Sequence, residues 1–171
     1  MYASQLFIHI NHNEVTYMIH IILYEPEIAG NTGNIGRTCV ATNTHLHLIE
    51  PLGFRLSERE IKRAGMDYWD ELEVTRYINF DDFLEKNPNA KIYPIETRMS
   101  RRYTDVTFEE DCYILFGKES TGIPSAILEK YQDSCIRIPM KEGARSLNLS
   151  NSVSIVLYEV LRQQEFPGLS G

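Results

Sequence analysis

Short apolar runs recur along the chain, separated by stretches whose apolar positions have helical spacing. IHIILY (19–24) is a continuous β-branched run, the pattern of a strand buried on both faces. HLHLIE (45–50), LEVTRY (72–77), KIYPIE (91–96), YILFG (113–117) and SCIRIP (134–139) predict five further strands. Between them, Asn31 or Thr32 is placed to cap a helix carrying Ile35, Cys39 and Val40 on one face. Ser57-Glu58-Arg59-Glu60 before Ile61 has the form of a capping box opening a short helix. NFDDFLEKN (79–87) predicts a helix closed before Pro88, and Pro124 suits the first turn of a helix over 124–131. Leu149, Val153, Val156, Leu157 and Val160 lay one apolar stripe along a last helix running to about Gln164.

Strands that alternate with helices and are apolar on both faces predict an α/β domain with a parallel sheet. Ligands of such sheets bind beyond the carboxyl ends of the strands. The segments to watch are therefore 25–37, 96–103, 117–123 and 139–151. With 171 residues the chain suits one domain, placed here at 18–171. Residues 1–17 read as an N-terminal extension that the fold does not need, with an added edge strand from Gln5 to Ile10 as the alternative. They have no basic n-region and no unbroken apolar h-region, so they do not read as a signal peptide. No run approaches the roughly 20 apolar residues of a membrane span. Cys39, Cys112 and Cys135 form no CxxC pair and read as reduced thiols in a cytoplasmic protein.

Charge changes the picture only locally. A net charge of −7 argues against indiscriminate nucleic-acid binding. Yet Arg55, Arg59, Lys62 and Arg63 fall together, as do Arg98, Arg101 and Arg102 beside Tyr103. Each cluster is either a solvated face or part of a surface for a polyanion.

Absences prune the chemistry. All five histidines lie in the first 47 residues and none in the four strand-end loops, so no imidazole base accompanies the serines there. No Cys/His cluster has zinc spacing and there is no GxxxxGK[ST], so no metal site and no P-loop are predicted. The glycines of GNTGNIG (30–36) recur every third residue, which is not the dinucleotide fingerprint. They still bring amides to a helix start, where a phosphate is at home, with Arg37 one turn inside. In FGKESTGIP (116–124), Gly117 lets a ligand approach the backbone, and Glu119 has no second carboxylate beside it. RSLNLSN (145–151) holds more small polar side chains than a helix cap requires.

The segments LYEPEIAGNTGNIGRTC, HLIEPLGF, RAGMDYW, LFGKESTGIP and IRIPM…RSLNLSNSVSIVLYE, in this order, resemble the trefoil-knot SPOUT class of tRNA 2′-O-methyltransferases. Within that class the chain resembles the small single-domain group that methylates the wobble nucleotide, position 34, cytidine or a modified uridine. The resemblance runs from Met18 to about Gln164. It implies a Rossmann-like α/β domain with a C-terminal deep trefoil knot, an S-adenosylmethionine cofactor, S-adenosylhomocysteine as product, and a homodimer with the site at the subunit interface. Carried over by position, Ile95, Gly117, Ile138 and Ser146 bind the cofactor, Arg37 acts in catalysis, and Glu119 and Asn148 organise the site. A guanidinium stays charged to about pH 12, so Arg37 is expected to clamp a phosphate and stabilise a developing alkoxide.

The partner implied is a tRNA anticodon stem-loop, touched by Arg145, Arg101, Arg102 and Arg55, with Arg59, Lys62 and Arg63 as further contacts. Leu147 and Leu149 are expected to pack inward, and Ser146 and Asn148 to meet cofactor and substrate. Two alternatives remain open: 2′-O-methylation at another tRNA position or of rRNA, and a non-catalytic α/β nucleotide-binding module.

Overall fold

The computed structural model describes residues 18–55 and 68–170. Its five strands are β1 (Ile19–Tyr24), β2 (His45–Ile49), β3 (Val74–Tyr77), β4 (Lys91–Ile95) and β5 (Cys112–Phe116). They form one sheet in the order β3-β2-β1-β5-β4, every neighbouring pair parallel. The helices are α1 (Ala29–Thr42), α2 (Phe80–Lys86), α3 (Ser125–Lys130) and α4 (Leu149–Gln163).

The alternation within each strand sorts two cores. Ile21, Leu23, Leu46, Leu48, Ile114 and Phe116 face Ile35 and Cys39 of α1 and the Val153, Val156, Leu157, Val160 stripe of α4. Ile22, Ile49, Tyr113 and Leu115 face Phe80 and Phe83 of α2, with Ile127 and Leu128 of α3 at the margin. The continuous apolar runs of β1 and β5 thus reflect burial on both sides.

Two expectations are corrected. SCIRIP is not a regular strand, because its partner changes after one residue. Ile136 bridges Ile95, whereas Arg137 bridges Arg102. Ile136 N donates to Pro94 O (3.0 Å) and Arg137 N to Arg101 O (2.9 Å), while Glu96 N and Tyr103 N donate back to the carbonyls of Ile136 and Arg137. The segment is held between the two arms of the 96–102 loop. Neither Asn31 nor Thr32 caps α1: the helix starts at Ala29 after Ile28, with no side-chain cap. Asn31 is turned instead toward two other loops, as described below. The capping-box helix from Ser57 and the strand Gln5 to Ile10 lie outside the described residues.

At the amino end of the sheet, His20 of β1 lies beside His45 of β2 in register, and His47 is two residues further on the same face. His20 Nδ1 and His47 Nε2 are 2.9 Å apart, and His47 Nδ1 is 2.9 Å from the Tyr77 hydroxyl. Burial pushes the His47 imidazole down from 6.5 to about 2, and burial also lowers His20 and His45. The unfolded chain therefore takes up protons below pH 6.5 that the folded chain refuses. Their contribution to stability is complete above pH 6.5 and declines as the pH falls toward 2. Thermal melts should show the melting temperature dropping from pH 7.5 to 5, with a shallower drop in His47→Gln. An equal slope in the variant would place the acid sensitivity elsewhere.

Candidate active site

The loops after β1, β4 and β5 and the segment 138–149 converge beyond the carboxyl ends of the strands. They enclose a cleft of about 1330 Å³. Ile95, Gly117, Glu119, Ile138, Arg145, Ser146 and Asn148 all line it, so the structure brings seven of the expected residues to one place. Arg37, Arg55, Arg101 and Arg102 lie outside its lining.

Asn148 and Glu119 are tied together through Asn31. Glu119 accepts hydrogen bonds from Glu27 N (2.8 Å), Ile28 N (3.3 Å) and Asn31 Nδ2 (2.9 Å). Asn31 Oδ1 in turn accepts from Asn148 Nδ2 at 2.9 Å. Asn148 Oδ1 accepts from the Ser150 amide, the Ser150 hydroxyl and the Asn151 amide, which caps α4. Asn148 thus faces the cleft while both its polar atoms serve the protein. Glu119 is likewise a strut joining two loops.

The joint is reciprocal. Glu27 accepts from the Ser120 amide and hydroxyl, both at 2.8 Å, and these bonds hold its carboxyl below the usual range. Lys118 pairs with Glu25 at 2.5 Å, and that bond raises the Lys118 ammonium. Asn31, Glu25, Glu27 and Lys118 are the positioning residues that reading the sequence alone missed. Their partners lie about ninety positions away, and no local pattern announces such a bond. Glu119→Gln exchanges an acceptor for a donor opposite amides that themselves donate. It should cost about 1–3 kcal/mol in a denaturant titration, the penalty of unsatisfied partly buried groups. A stability equal to wild type would show that the strut carries no energy.

Leu147 departs from expectation: it is 41% exposed on the rim of the cleft. Leu149 does pack against the core. The reason is position, since Leu147 lies in the loop before the helix and Leu149 opens it. Arg37 is exposed on α1, its Cζ 5.0 Å from the Tyr68 ring centroid. Tyr68 donates to Gly33 O at 2.5 Å, fixing the aromatic platform on that helix. Of the basic candidates, Arg102 makes a two-oxygen pair with Asp105, and Arg101 donates to Asp133 O. Arg145 is exposed at the cleft.

The model of the SpoU rRNA methylase family matches residues 18–158. The chain belongs to this family. A relative from Escherichia coli K12 is named tRNA (cytidine(34)-2'-O)-methyltransferase. It is 42% identical over 152 residues, 88% of this chain and 97% of that protein. A solved structure described as "Structural insights into the 2-OH methylation of C/U34 on tRNA" superposes with a TM-score of 0.81. It is 40% identical and covers 88% of this chain and 98% of its own. An rRNA methyltransferase of the family fold from Sinorhizobium meliloti, solved with AdoMet bound, gives a TM-score of 0.75. It is 25% identical and covers 90% of this chain and 57% of its own. Among the described residues, no helix is long and apolar enough to cross a membrane.

Proposed function

We propose that this protein transfers a methyl group from S-adenosylmethionine to the ribose 2′-hydroxyl of the wobble nucleotide of tRNA, cytidine or a modified uridine at position 34. The observation that carries this reading is the gathering of Ile95, Gly117, Ile138, Ser146, Glu119 and Asn148 on one cleft, in a chain 42% identical to a relative of that name.

The cleft suits the cofactor. Ile95, Ile138, Pro124 and Leu128 offer apolar walls to an adenine. The amides of Ile138, Met140, Ser146 and Leu147 have no acceptor among the described residues and are available to a ligand. When bound, S-adenosylmethionine supplies the methyl on an activated sulfonium, so the chain need only bind, orient and manage a proton. Glu119, Asn31 and Asn148 keep three loops in register, which is the orienting part. Placing the ribose oxygen in line with the methyl can contribute several of the ~7–11 kcal/mol that orientation supplies.

Arg37 lies off the lining of its own cleft, which favours a homodimer in which a second copy presents its Arg37 there. The outer face of α4, with Ile155 and Tyr158 exposed, supplies apolar surface beside α1 for such a pairing. A C-terminal trefoil knot fits the passage of residues 136–137 between the arms of the 96–102 loop. Arg145 at the rim is the first phosphate contact to test on the anticodon arm. Charge reversal by Arg145→Glu should weaken tRNA binding and lower its salt slope by about 1. An unchanged slope would remove Arg145 from the RNA surface.

Total tRNA from a deletion strain, incubated with protein and methyl-labelled cofactor, tests the function. Label mapped to the 2′-oxygen at position 34 supports the reading. Label at another position or only on rRNA overturns the assigned target, and no label overturns the activity.

A further inference from the structure

We propose that His20, His45 and His47 form a binding site for a transition-metal dication such as Zn2+, at the end of the sheet opposite the methyl-transfer cleft. One nitrogen from each ring lies within 4.8 Å of the other two. The rings are carried by two adjacent parallel strands in fixed register, so their spacing is set by backbone hydrogen bonds. His20 Nδ1 and His47 Nε2 stand 2.9 Å apart. Tetrahedral zinc with bonds of ~2.0–2.1 Å holds its nitrogens about 3.3 Å apart, so this pair need open by only a few tenths of an ångström.

The surroundings are those of a ligand set. Histidine ligands hold their second nitrogen on an oxygen partner, which fixes ring orientation. Here His20 Nε2 is 3.0 Å from Asp111 Oδ1, and His47 Nδ1 is 2.9 Å from the Tyr77 hydroxyl. His45 Nε2 is 2.9 Å from Thr75 Oγ1 and its Nδ1 3.4 Å from Glu73 Oε1, so this ring exchanges one of the two contacts for the metal and keeps the other. Stacking against Tyr113 and between His45 and His47 leaves the rings little freedom to turn.

The proton balance closes without release. With His20 donating Nε2–H to Asp111, the proton between the two rings is the single proton of His47; the metal displaces it from Nε2 and it moves to Nδ1, where it is donated to the Tyr77 oxygen. All three rings stay neutral, as metal ligands must. The side nearest solvent is that of Asp111 and Glu73, whose carboxylates are 63% and 60% exposed, with His45 13% exposed. A water completes a fourth position. Packing alone gives no reason for the cluster, since apolar rings would fill the same space without the desolvation cost of three imidazoles.

Bound metal would clip β1 to β2, far from the methyl-transfer chemistry, so the site is independent of that reading. The test titrates Co2+ into chelator-treated wild-type protein at pH 7.5, followed by Zn2+ and thermal melts. Expected are tetrahedral ligand-field absorption at one equivalent, its displacement by Zn2+, and a raised melting temperature. His45→Ala, at the partly exposed position, should lose at least about tenfold in affinity. A His9→Ala/His12→Ala variant, altering the two remaining histidines, should bind like wild type. Absence of the spectrum in wild type overturns the site, as does a spectrum unchanged in His45→Ala or abolished in the His9/His12 variant.

Discussion

Gly117→Ala is expected to abolish binding of S-adenosylhomocysteine and to lower methyl transfer by at least about a hundredfold, the cost of displacing reacting groups by an ångström. An added Cβ at this position falls 2.3 Å from Gly122 C and from Ile123 N, and 2.8 Å from Gly122 Cα. These are main-chain atoms and cannot rotate away. They belong to a turn closed by the Gly122 amide on Lys118 O at 2.9 Å, with Gly122 itself at a φ of 72°. The turn must therefore move as a body, by about an ångström if ordinary contact distances are to be restored. Glu119 and Ser120 would move with it, loosening their bonds to Glu27, Ile28 and Asn31. Calorimetry with S-adenosylhomocysteine and a single-turnover assay measure the two losses. Gly30→Ala is the matched control, because nothing lies within 4 Å of a Cβ there. Wild-type affinity in Gly117→Ala would refute the crowding argument and the cofactor role of this wall together.

Arg37→Ala should leave cofactor binding intact and lower kcat by about 10²–10³-fold, the loss typical of a removed transition-state donor. Arg37→Lys should recover little, because a point charge does not reproduce the guanidinium fork. The proposed dimer makes a sharper forecast. If each cleft uses the Arg37 of the other subunit, Arg37→Ala mixed with Gly117→Ala forms heterodimers with one intact composite site. Random exchange then restores about a quarter of wild-type activity from two inactive proteins, by the arithmetic of a two-fold assembly. No recovery, with exchange verified by mass, would mean that Arg37 serves its own cleft or none. Full activity of Arg37→Ala alone would overturn the catalytic role proposed for it.

The strands β1 and β5 could be read from the sequence because burial on both faces demands continuous apolar runs. The α4 stripe could be read because a helix against a sheet needs a period of 3.6. The segment 134–139 has the composition of a strand and fails to become one. Its pairing passes from Ile95 to Arg102 within two residues, a change set by where the 96–102 loop runs.

The position of the site, beyond the strand ends, followed from the order of elements alone, and the family motifs in sequence named most of its lining. The network inside it did not follow. Asn31 looked like a helix cap, and three-dimensional proximity made it the link between Glu119 and Asn148.

The chain by itself therefore determined the α/β class, the helix stripe, the strand-end location of the cleft and the kinship of its motifs. Those properties are periodic or local, and each residue's neighbours in sequence carry them. Only the tertiary structure decided that Arg37 stands off its own cleft, that Leu147 is on the rim, and that three histidines from two strands form one cluster. Each depends on contacts or distances between segments far apart in the chain, set by the packing of the whole domain rather than by any short run of residues.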